Sequence, residues 1–398
     1  YRCLNEVVFP GLKKAGVEFH QVSDLPDEEI QRLRVLFLSE IFPVLTPLAV
    51  DAGHPFPYLG NLKQNLMVVF ADDSAETVRK ALAFVEVPSV LPRLSPVLSD
   101  QPGHHYVYLE DIIAANLDII FPGMTVEQTI PIRVTRNLDY DLHENEVLDL
   151  LTSLEAELKD RSNQIAVRLE IRKGATPELI ELLCQKLNLD SKHVYEIDGP
   201  LNTTCFMKLM GLNVEPDFRD PPFNPRIPQN LDTDDDIFKV ISKDDILLHH
   251  PFDSFAVVVD LLNRAASDPD VLAIKQTLYR TGSNSPIVSA LLKAAKNGKQ
   301  VTAVLELKAR FDEQSNISWA RRMADAGINV VFGFVKWKVH CKATLIVRKE
   351  SSGLKKYVHL STGNYNSSTA KLYTDIGLIT ADKDIGQDVS ALFNVITG

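Results

Sequence analysis

Five prolines lie among the fourteen residues from Glu215 to Pro228, and this segment constrains the fold more than any other part of the chain. Proline lacks an amide donor and fixes φ, so such a run fits neither a helix nor a central strand. The segment is therefore predicted to be a linker. At 398 residues the chain is too long for one ordinary core, so a domain is expected on each side of the linker.

Before the linker, helical and strand patterns follow one another without regular alternation. Apolar residues at helical spacing predict helices, and alternating apolar residues predict strands. The predicted helices are 27–40, 144–159 and 176–187, and the predicted strands are 64–70 and 165–171. This mixture indicates an α+β domain.

After the linker the order of elements is regular. The predicted elements are strands at 271–279, 300–307 and 328–334, with helices at 286–296 and 317–326 between them. A βαβαβ order implies parallel strands. The strand that contains His340 follows a very short connection, so antiparallel pairing is expected for it. Two more strands are predicted at 356–360 and 376–380, which gives an α/β domain with a mixed sheet.

The composition excludes several classes of protein. A net charge of −11 argues against a general nucleic-acid binder, which needs a basic surface. No apolar run approaches the length of a transmembrane helix. The four cysteines lack metal-type spacing, so neither a disulfide framework nor a zinc site is expected, and a reducing, cytoplasmic location fits. The chain starts at Tyr1 without a signal-peptide pattern, and we expect it to be part of a longer protein.

Most histidines of the chain have no partner pattern that would indicate chemistry. His54, His104, His105 and His143 match no acid or cysteine spacing and are interpreted as surface or loop residues. The neighbouring pair His249 and His250, which precedes a predicted helix at 257–263, is interpreted as structural.

One predicted strand carries a His-x-Lys pair. His340 and Lys342 alternate with apolar residues, so they are predicted to share a face opposite a buried one. The apolar set is Val339, Cys341, Ala343, Leu345 and Val347. An imidazole next to an ammonium suggests a nucleophile beside a cation that holds phosphate. The alternative is a strand with a basic outer face.

Two arginines follow parallel strands, where ligands of open α/β sheets bind. Arg280 ends the first strand and Arg310 follows the second. A guanidinium matches phosphate oxygens, although each arginine could instead form a surface ion pair. The turn at 361–366 combines a glycine with hydroxyl and amide side chains, which suits either an anion site or a plain turn. Glycine-rich nucleotide fingerprints are absent from the sequence.

Several long motifs, in the same order, resemble the polyphosphate kinases of the long, histidine-phosphorylating type. The resemblance covers nearly the whole chain. The motifs are Ile132–Asn137, Ala166–Glu170, His249–Phe255, Ala273–Arg280, Leu307–Glu313, Lys338–Lys342, Ser361–Asn366 and Leu372–Asp375.

The resemblance implies a domain organisation. Residues 1–11 would be the tail of an N-terminal helical domain, 12–226 an α+β head domain, and 227–398 the first of two phospholipase-D-like catalytic domains. The second catalytic domain of the family has no counterpart in these residues. The resemblance therefore implies that this chain by itself makes little polyphosphate.

The resemblance also implies roles for individual residues. His340 matches the histidine that becomes phosphorylated, with Lys342 beside it, and Tyr373 matches a tyrosine that contacts ATP. Arg280 and Arg310 match the Mg²⁺–phosphate site, where an arginine would act through phosphate oxygens because a guanidinium does not ligate Mg²⁺. The implied partners are ATP or ADP, inorganic polyphosphate, Mg²⁺ and further copies of the chain. Peripheral membrane association is left open, and nucleic acid is not expected.

One departure from the phospholipase-D signature bears on the reaction. The acid expected five residues after Lys342 is replaced by Val347, which favours the kinase over a phosphodiester-processing enzyme. That enzyme class and a non-catalytic oligomerisation fragment remain the alternatives. Asp375 is a candidate to orient His340, because it lies close to the motifs.

Overall fold

A computed structural model describes residues 1–50, 53–71, 81–137, 164–214, 220–228, 231, 236–282, 284–306, 313–334 and 337–398. The described residues up to Asp220 form one compact unit, and those from Pro221 onward form a second. No helix in these ranges has both the length and the apolar character needed to cross a membrane. The helix predicted at 144–159 lies outside the described residues.

The first unit contains two sheets and short helices. Its strands are β1 Val17–Phe19, β2 Pro47–Val50, β3 Gln64–Phe70, β4 Leu82–Glu86, β5 Leu94–Pro96, β6 His104–Tyr108, β7 Val126–Arg136, β8 Ala166–Arg172 and β9 Val194–Ile197. Its helices are α1 Phe9–Lys14, α2 Asp27–Leu36, α3 Leu109–Ala114, α4 Leu117–Ile120 and α5 Pro177–Leu187. Six strands pair in the order β2-β4-β3-β7-β8-β9, and three in the order β1-β6-β5.

The larger sheet of this unit has an apolar core on each face. One core packs β3 and β4 against α2 and α3, and the other packs β3, β7 and β8 against α5. Every residue of β3 is consequently buried. Helix α5 has Pro177 in its first turn and ends at Leu187, and it is followed by Asn188, whose φ of 51° is typical of a residue that terminates a helix. The α+β prediction for this region is confirmed.

The prediction that the histidines of this unit lie on the surface is wrong for His105. Its side chain is buried, because β6 is the central strand of the three-stranded sheet and this residue points into the packed face. His104 is half-buried, and His54 is exposed as predicted. His143 lies outside the described residues.

The second unit is one mixed sheet covered by helices. Its strands are β10 Ile246–His250, β11 Val271–Leu278, β12 Gln300–Leu305, β13 Asn329–Phe332, β14 Lys342–Glu350, β15 Gly353–Ser361 and β16 Asp375–Thr380. Its helices are α6 Ile237–Lys243, α7 Ala256–Ser267, α8 Pro286–Lys296, α9 Glu313–Asp325 and α10 Lys383–Thr397. The strand order is β10-β16-β15-β14-β11-β12-β13, with β11, β12 and β13 parallel.

The mixed sheet and the antiparallel pairing of β14 are confirmed, but the predicted extent of that strand is wrong. The strand starts at Lys342, so His340 lies just before it. Both faces of β14 are buried, since Ile346 packs in the core with α6 to α9 while Leu345 packs in the core with α10. Cys341, predicted to be buried, is exposed. The sequence pattern suggested one open face because it did not reveal that helices α6 to α9 cover the face that carries Ile346.

This topology brings several chain segments to one edge of the sheet. The carboxyl ends of the parallel strands β11, β12 and β13 lie there. Because β14 is antiparallel to β11, its first residues lie at the same edge, paired with the last residues of β15. The edge is where ligands of open α/β sheets bind.

Candidate active site

The ring of Tyr279 stands at the centre of this edge. The His340 ring meets it edge-on with 4.8 Å between ring centroids. The Lys342 ammonium lies 5.4 Å from the Tyr279 ring centroid, and the Arg280 guanidinium carbon lies 5.5 Å from it. Three residues predicted to form the site, His340, Lys342 and Arg280, are therefore gathered around one aromatic side chain. Sequence reasoning did not single out Tyr279, although it lies next to Arg280 in the Ala273–Arg280 motif.

His340 and Lys342 are in direct contact. The Lys342 Nζ lies 3.0 Å from Nδ1 and 3.1 Å from Nε2 of His340, and it donates to the His340 carbonyl oxygen at 2.7 Å. Lys342 is only 5% exposed, whereas the His340 side chain remains exposed. The Lys342 ammonium is thus buried next to the ring, while the imidazole itself stays accessible to a ligand.

The electrostatic environment favours the neutral form of His340. Partial burial of the ring lowers its pKa below the ordinary value, and the positive charges of Lys342, Arg280 and Lys338 lower it further. Burial also lowers the pKa of Lys342, an effect that the charge of Asp375 opposes. At neutral pH the imidazole therefore keeps a lone pair available for nucleophilic attack.

Two side chains that sequence reasoning missed hold the backbone around His340. Thr277, near the end of β11, donates to the Cys341 carbonyl and accepts from the Ala343 N–H, both at 2.9 Å. Glu306, buried just after β12, accepts the Val339 N–H at 2.8 Å. Their positions at the ends of predicted parallel strands were the one signal available in the sequence.

Arg280 adopts a backbone conformation that is unusual for a non-glycine residue, with φ of 53°. Its carbonyl oxygen accepts a hydrogen bond of 2.9 Å from the side-chain amide of Asn366. This contact ties the turn after β11 to the 361–366 segment, which the sequence left open between an anion site and a plain turn.

The 361–366 segment also contacts Asp375. Thr362 donates to the Asp375 carboxylate at 2.8 Å and accepts the Ile376 N–H at 3.0 Å. A Cβ on Gly363 would lie 2.6 Å from the Asp375 carboxyl carbon, so this position requires glycine. The carboxylate proposed to orient His340 thus has its hydrogen bond to Thr362.

A buried chain of hydrogen bonds lies behind the site. The Thr344 hydroxyl lies 2.7 Å from the side-chain Oε1 of Gln276 and 2.8 Å from the Tyr365 hydroxyl, and it can donate to either oxygen. The Tyr365 hydroxyl oxygen also lies 2.9 Å from Nδ1 of His359, within hydrogen-bond distance. Burial lowers the pKa of His359 to about 3, and the neighbouring His250 adds to the effect. This network links β11, β14, β15 and the 361–366 segment.

The remaining predicted site residues are not brought together by the described structure. Tyr373 follows a short helical turn, and its side chain is 63% exposed. Arg310 lies outside the described residues. The roles predicted for both residues stay predictions.

The described residues also bear on Mg²⁺, which the resemblance implies. Mg²⁺ binds oxygen ligands, but the side chains next to His340 include the cations of Lys342 and Arg280. The carboxylates of Glu306 and Asp375 already accept hydrogen bonds within the protein. These residues do not fit a Mg²⁺ ion that is held by the protein.

An accessible imidazole, kept neutral and surrounded by an ammonium and a guanidinium, defines a centre suited to polyanionic phosphates. Comparison with known proteins agrees with a centre that acts on phosphates. The model of the polyphosphate kinase middle domain matches residues 28–209, and that of the polyphosphate kinase C-terminal domain 1 matches residues 236–398.

Relatives match along the entire chain. Polyphosphate kinase 1 of Chlorobaculum tepidum is 46% identical over 402 aligned positions, and polyphosphate kinase of Halalkalibacterium halodurans is 44% identical over 400. Each alignment covers 100% of this chain and 57% of the relative. The crystal structure of polyphosphate kinase from Porphyromonas gingivalis superposes with a TM-score of 0.77 at 30% identity, covering 99% of this chain and 58% of that one.

The chain belongs to the polyphosphate kinase family. It spans 57% of the length of the two curated relatives compared above.

Proposed function

We propose that this chain carries the phosphoryl-accepting half-site of an ATP:polyphosphate phosphotransferase, with His340 as nucleophile. The observation that supports this most is the contact of the exposed His340 imidazole with Lys342, beside Arg280. An imidazole nitrogen attacks the γ-phosphorus of ATP, an N–P bond forms, and the bond from phosphorus to the bridging oxygen breaks to release ADP. A terminal oxygen of polyphosphate then attacks phosphorus, the N–P bond breaks, and the chain grows by one unit.

The nucleophile must carry a lone pair when ATP arrives. The lowered pKa of His340 supplies this condition at neutral pH, because the protonated form is disfavoured by burial and by the nearby cations. Activity should therefore fall as the pH drops through the pKa of His340. The reaction is reversible, since the same neutral imidazole is the leaving group when polyphosphate takes the phosphoryl group.

The two cations are proposed to neutralise charge on the transferring group. Lys342 is a buried point charge held beside both ring nitrogens, and Arg280 offers a planar fork to phosphate oxygens. Stabilising such charge is the main contribution that a protein makes to phosphoryl transfer. Arg310 and Tyr373 are proposed to contact phosphate and ATP, and a Mg²⁺ ion would be bound by phosphate oxygens.

The organisation of the chain is proposed to follow the family. Residues 12–226 would be the head domain and 227–398 the first catalytic domain, after a short tail of the helical domain. The protein is proposed to act in the cytoplasm as a homo-oligomer, and peripheral contact with a membrane is a further property to test. Val347 in place of an acid supports phosphoryl transfer over hydrolysis of a phosphodiester.

The direct test uses the full-length enzyme and ATP labelled at the γ-phosphate. His340→Ala should lose acid-labile, base-stable label on the protein and lose polyphosphate synthesis. His249→Ala, which removes an exposed histidine of the same unit, is the control and should label normally. Undiminished label on the His340→Ala enzyme would exclude His340 as the nucleophile.

A further inference from the structure

Three side chains that the proposed phosphoryl transfer does not use converge in the first unit. Glu18 lies on β1, His20 follows that strand, and His105 lies on β6. One ligand atom from each residue lies within 4.8 Å of those from the other two. The parallel pairing of β1 with β6 places Glu18 opposite His105, and the His20 N–H donates to the Tyr106 carbonyl at 2.8 Å. Backbone pairing therefore fixes the positions of all three.

Hydrogen bonds define the tautomers of the two imidazoles. Nε2 of His105 lies 3.1 Å from the carbonyl oxygen of Gln101, which can only accept, so Nε2 carries the proton. In the neutral ring Nδ1 is then a lone pair, and it accepts from Nε2 of His20 at 2.9 Å. A backbone carbonyl that holds the second ring nitrogen is the usual support of a metal-bound histidine. His105 is therefore oriented as an Nδ1 ligand.

The spacing of the ligand atoms is close to that of a bound ion. Two imidazole nitrogens on a tetrahedral Zn²⁺ lie about 3.3 Å apart, given Zn–N bonds of about 2.0–2.1 Å. The nitrogens of His20 and His105 are 2.9 Å apart, so a small shift would admit the ion. In the structure Lys13 pairs with the Glu18 carboxylate, so a positive charge already lies beside this cluster.

We propose that Glu18, His20 and His105 form a binding site for a divalent cation of the zinc class. The ion would take the place of the proton on Nε2 of His20, and that ring would become protonated on Nδ1 instead, so that both imidazoles stay neutral. The Glu18 carboxylate would be the third ligand, and water would take the fourth position. The earlier expectation of no zinc site was drawn from cysteine spacing, and this cluster uses imidazole and carboxylate ligands instead.

A bound metal ion would cross-link strand β1 to strand β6. The two strands β1 and β6 pair over only three residues, Val17 to Phe19 with His104 to Tyr106. An ion shared by residues of both strands would add a cross-link to this short ladder. It would bind to the folded unit and so raise its thermal stability with increasing ion concentration.

The test measures metal binding by the 398-residue chain. Titration with Zn²⁺ in a calorimeter should show one tight site that weakens in acid as the imidazoles are protonated. Co²⁺ should give the visible absorption of a low-symmetry, four-coordinate site. His20→Gln and Glu18→Gln should each weaken Zn²⁺ binding by more than the roughly 10- to 100-fold that loss of a supporting residue costs.

The control variant is His104→Gln, which changes the neighbouring histidine of β6 on the opposite face of the strand. It should bind Zn²⁺ like the parent. Circular dichroism would confirm that each variant folds, and the half-exposed His20 and Glu18 are chosen because a change at the buried His105 could disturb folding. Equal Zn²⁺ affinity in the parent, His20→Gln and Glu18→Gln, or loss of binding in His104→Gln alone, would overturn the proposal. Phosphoryl transfer is not measured, so this result is independent of the role of His340.

Discussion

The two histidine sites of this protein differ in the charges around the imidazole. At His340 the neighbouring charges are the cations of Lys342 and Arg280, which lower the pKa of the ring. At His105 the neighbours are the carboxylate of Glu18 and a second imidazole. In the two proposals the same side chain attacks an anionic phosphate in one place and binds a cation in the other. The neighbouring groups, rather than the residue type, determine the chemistry of each site.

The largest effect is expected from removing the cation at His340. Lys342→Met keeps the length of the buried side chain but removes its charge, so labelling of the full-length enzyme by γ-labelled ATP should fall about 10²- to 10³-fold. The pKa of His340 should rise, because Lys342 is one of the causes that lower it. The acid limb of the labelling rate should therefore move to higher pH.

Lys338→Met is the matched control for this experiment. Lys338 also lowers the pKa of His340, but it is the weakest of the three cationic causes, and its side chain is exposed. It should shift the titration of His340, followed by NMR, less than Lys342→Met does. A Lys342→Met enzyme with an unchanged rate and pH profile would show that the contact with His340 has no role in transfer.

Replacing Arg280 is expected to cause a smaller loss of activity and almost no change in stability. Its positive φ of 53° costs a non-glycine residue roughly 1–2 kcal/mol, which a glycine would not incur. Arg280→Gly should therefore keep the free energy of unfolding within about 1 kcal/mol of the parent, since glycine also loses more entropy on folding. Labelling by ATP should still fall about 10²-fold, because a charge-stabilising donor is lost.

Chemical denaturation of the variant would measure the first quantity and labelling the second. Arg280→Lys is the control for charge: it keeps a cation but loses the planar fork, and its labelling should lie between those of Arg280→Gly and the parent. Equal losses of labelling and of stability in Arg280→Gly would mean that Arg280 acts through the fold.

The same comparison shows what the sequence could and could not reveal. The order of strands and helices after the linker predicted that Arg280 and the His340 segment would meet, since parallel strands place their ends at one edge. The burial of the second face of β14 was not predictable, because Ile346 on that face packs in a core built by helices that come earlier in the chain. Tyr279 lacked a signal for the same reason, since its three neighbours meet only in the folded sheet.

The spacing of residues in the sequence could not predict the cluster of Glu18, His20 and His105. His20 and His105 are 85 positions apart, and only the parallel pairing of β1 with β6 places them side by side. A short strand of three residues carries too little periodicity to predict that pairing. Metal motifs are recognised in sequence when their ligands come from one helix or one loop, which is not the case here.

A third histidine shows how strongly burial lowers the pKa of an imidazole. His359 is fully buried, and its pKa is lowered to about 3, mainly by burial. Between the ordinary value near 6.5 and this one, the unfolded state binds a proton that the folded state does not. The free energy of unfolding should therefore decrease as the pH falls through this range, with a slope of up to about 1.4 kcal/mol per pH unit from this residue.

His359→Asn should reduce that slope, measured by urea denaturation between pH 4 and pH 7. The variant should be less stable at neutral pH by up to about 1–3 kcal/mol, since the buried Tyr365 hydroxyl loses one of its two side-chain partners. His249→Asn, at an exposed histidine of the same unit, should leave both the slope and the stability unchanged. A slope that persists in His359→Asn would assign the acid sensitivity to other groups.

The smallest effect is expected from removing the cation next to the His105 cluster. This change should strengthen binding there, whereas removal of Lys342 should weaken the activity at His340. Lys13 pairs with Glu18 and lowers the pKa of that carboxyl, so a metal ion must compete with its ammonium. Removing it with Lys13→Gln should tighten Zn²⁺ binding about two- to fivefold, which corresponds to the up to about 1 kcal/mol of an exposed ion pair. Lys14→Gln, at the adjacent exposed lysine of α1, should leave the Zn²⁺ affinity unchanged. If Lys13→Gln weakened Zn²⁺ binding, Lys13 would support the metal site rather than compete with the ion for Glu18. The contrast between a cation that assists His340 and a cation that hinders metal binding at Glu18 would then be lost.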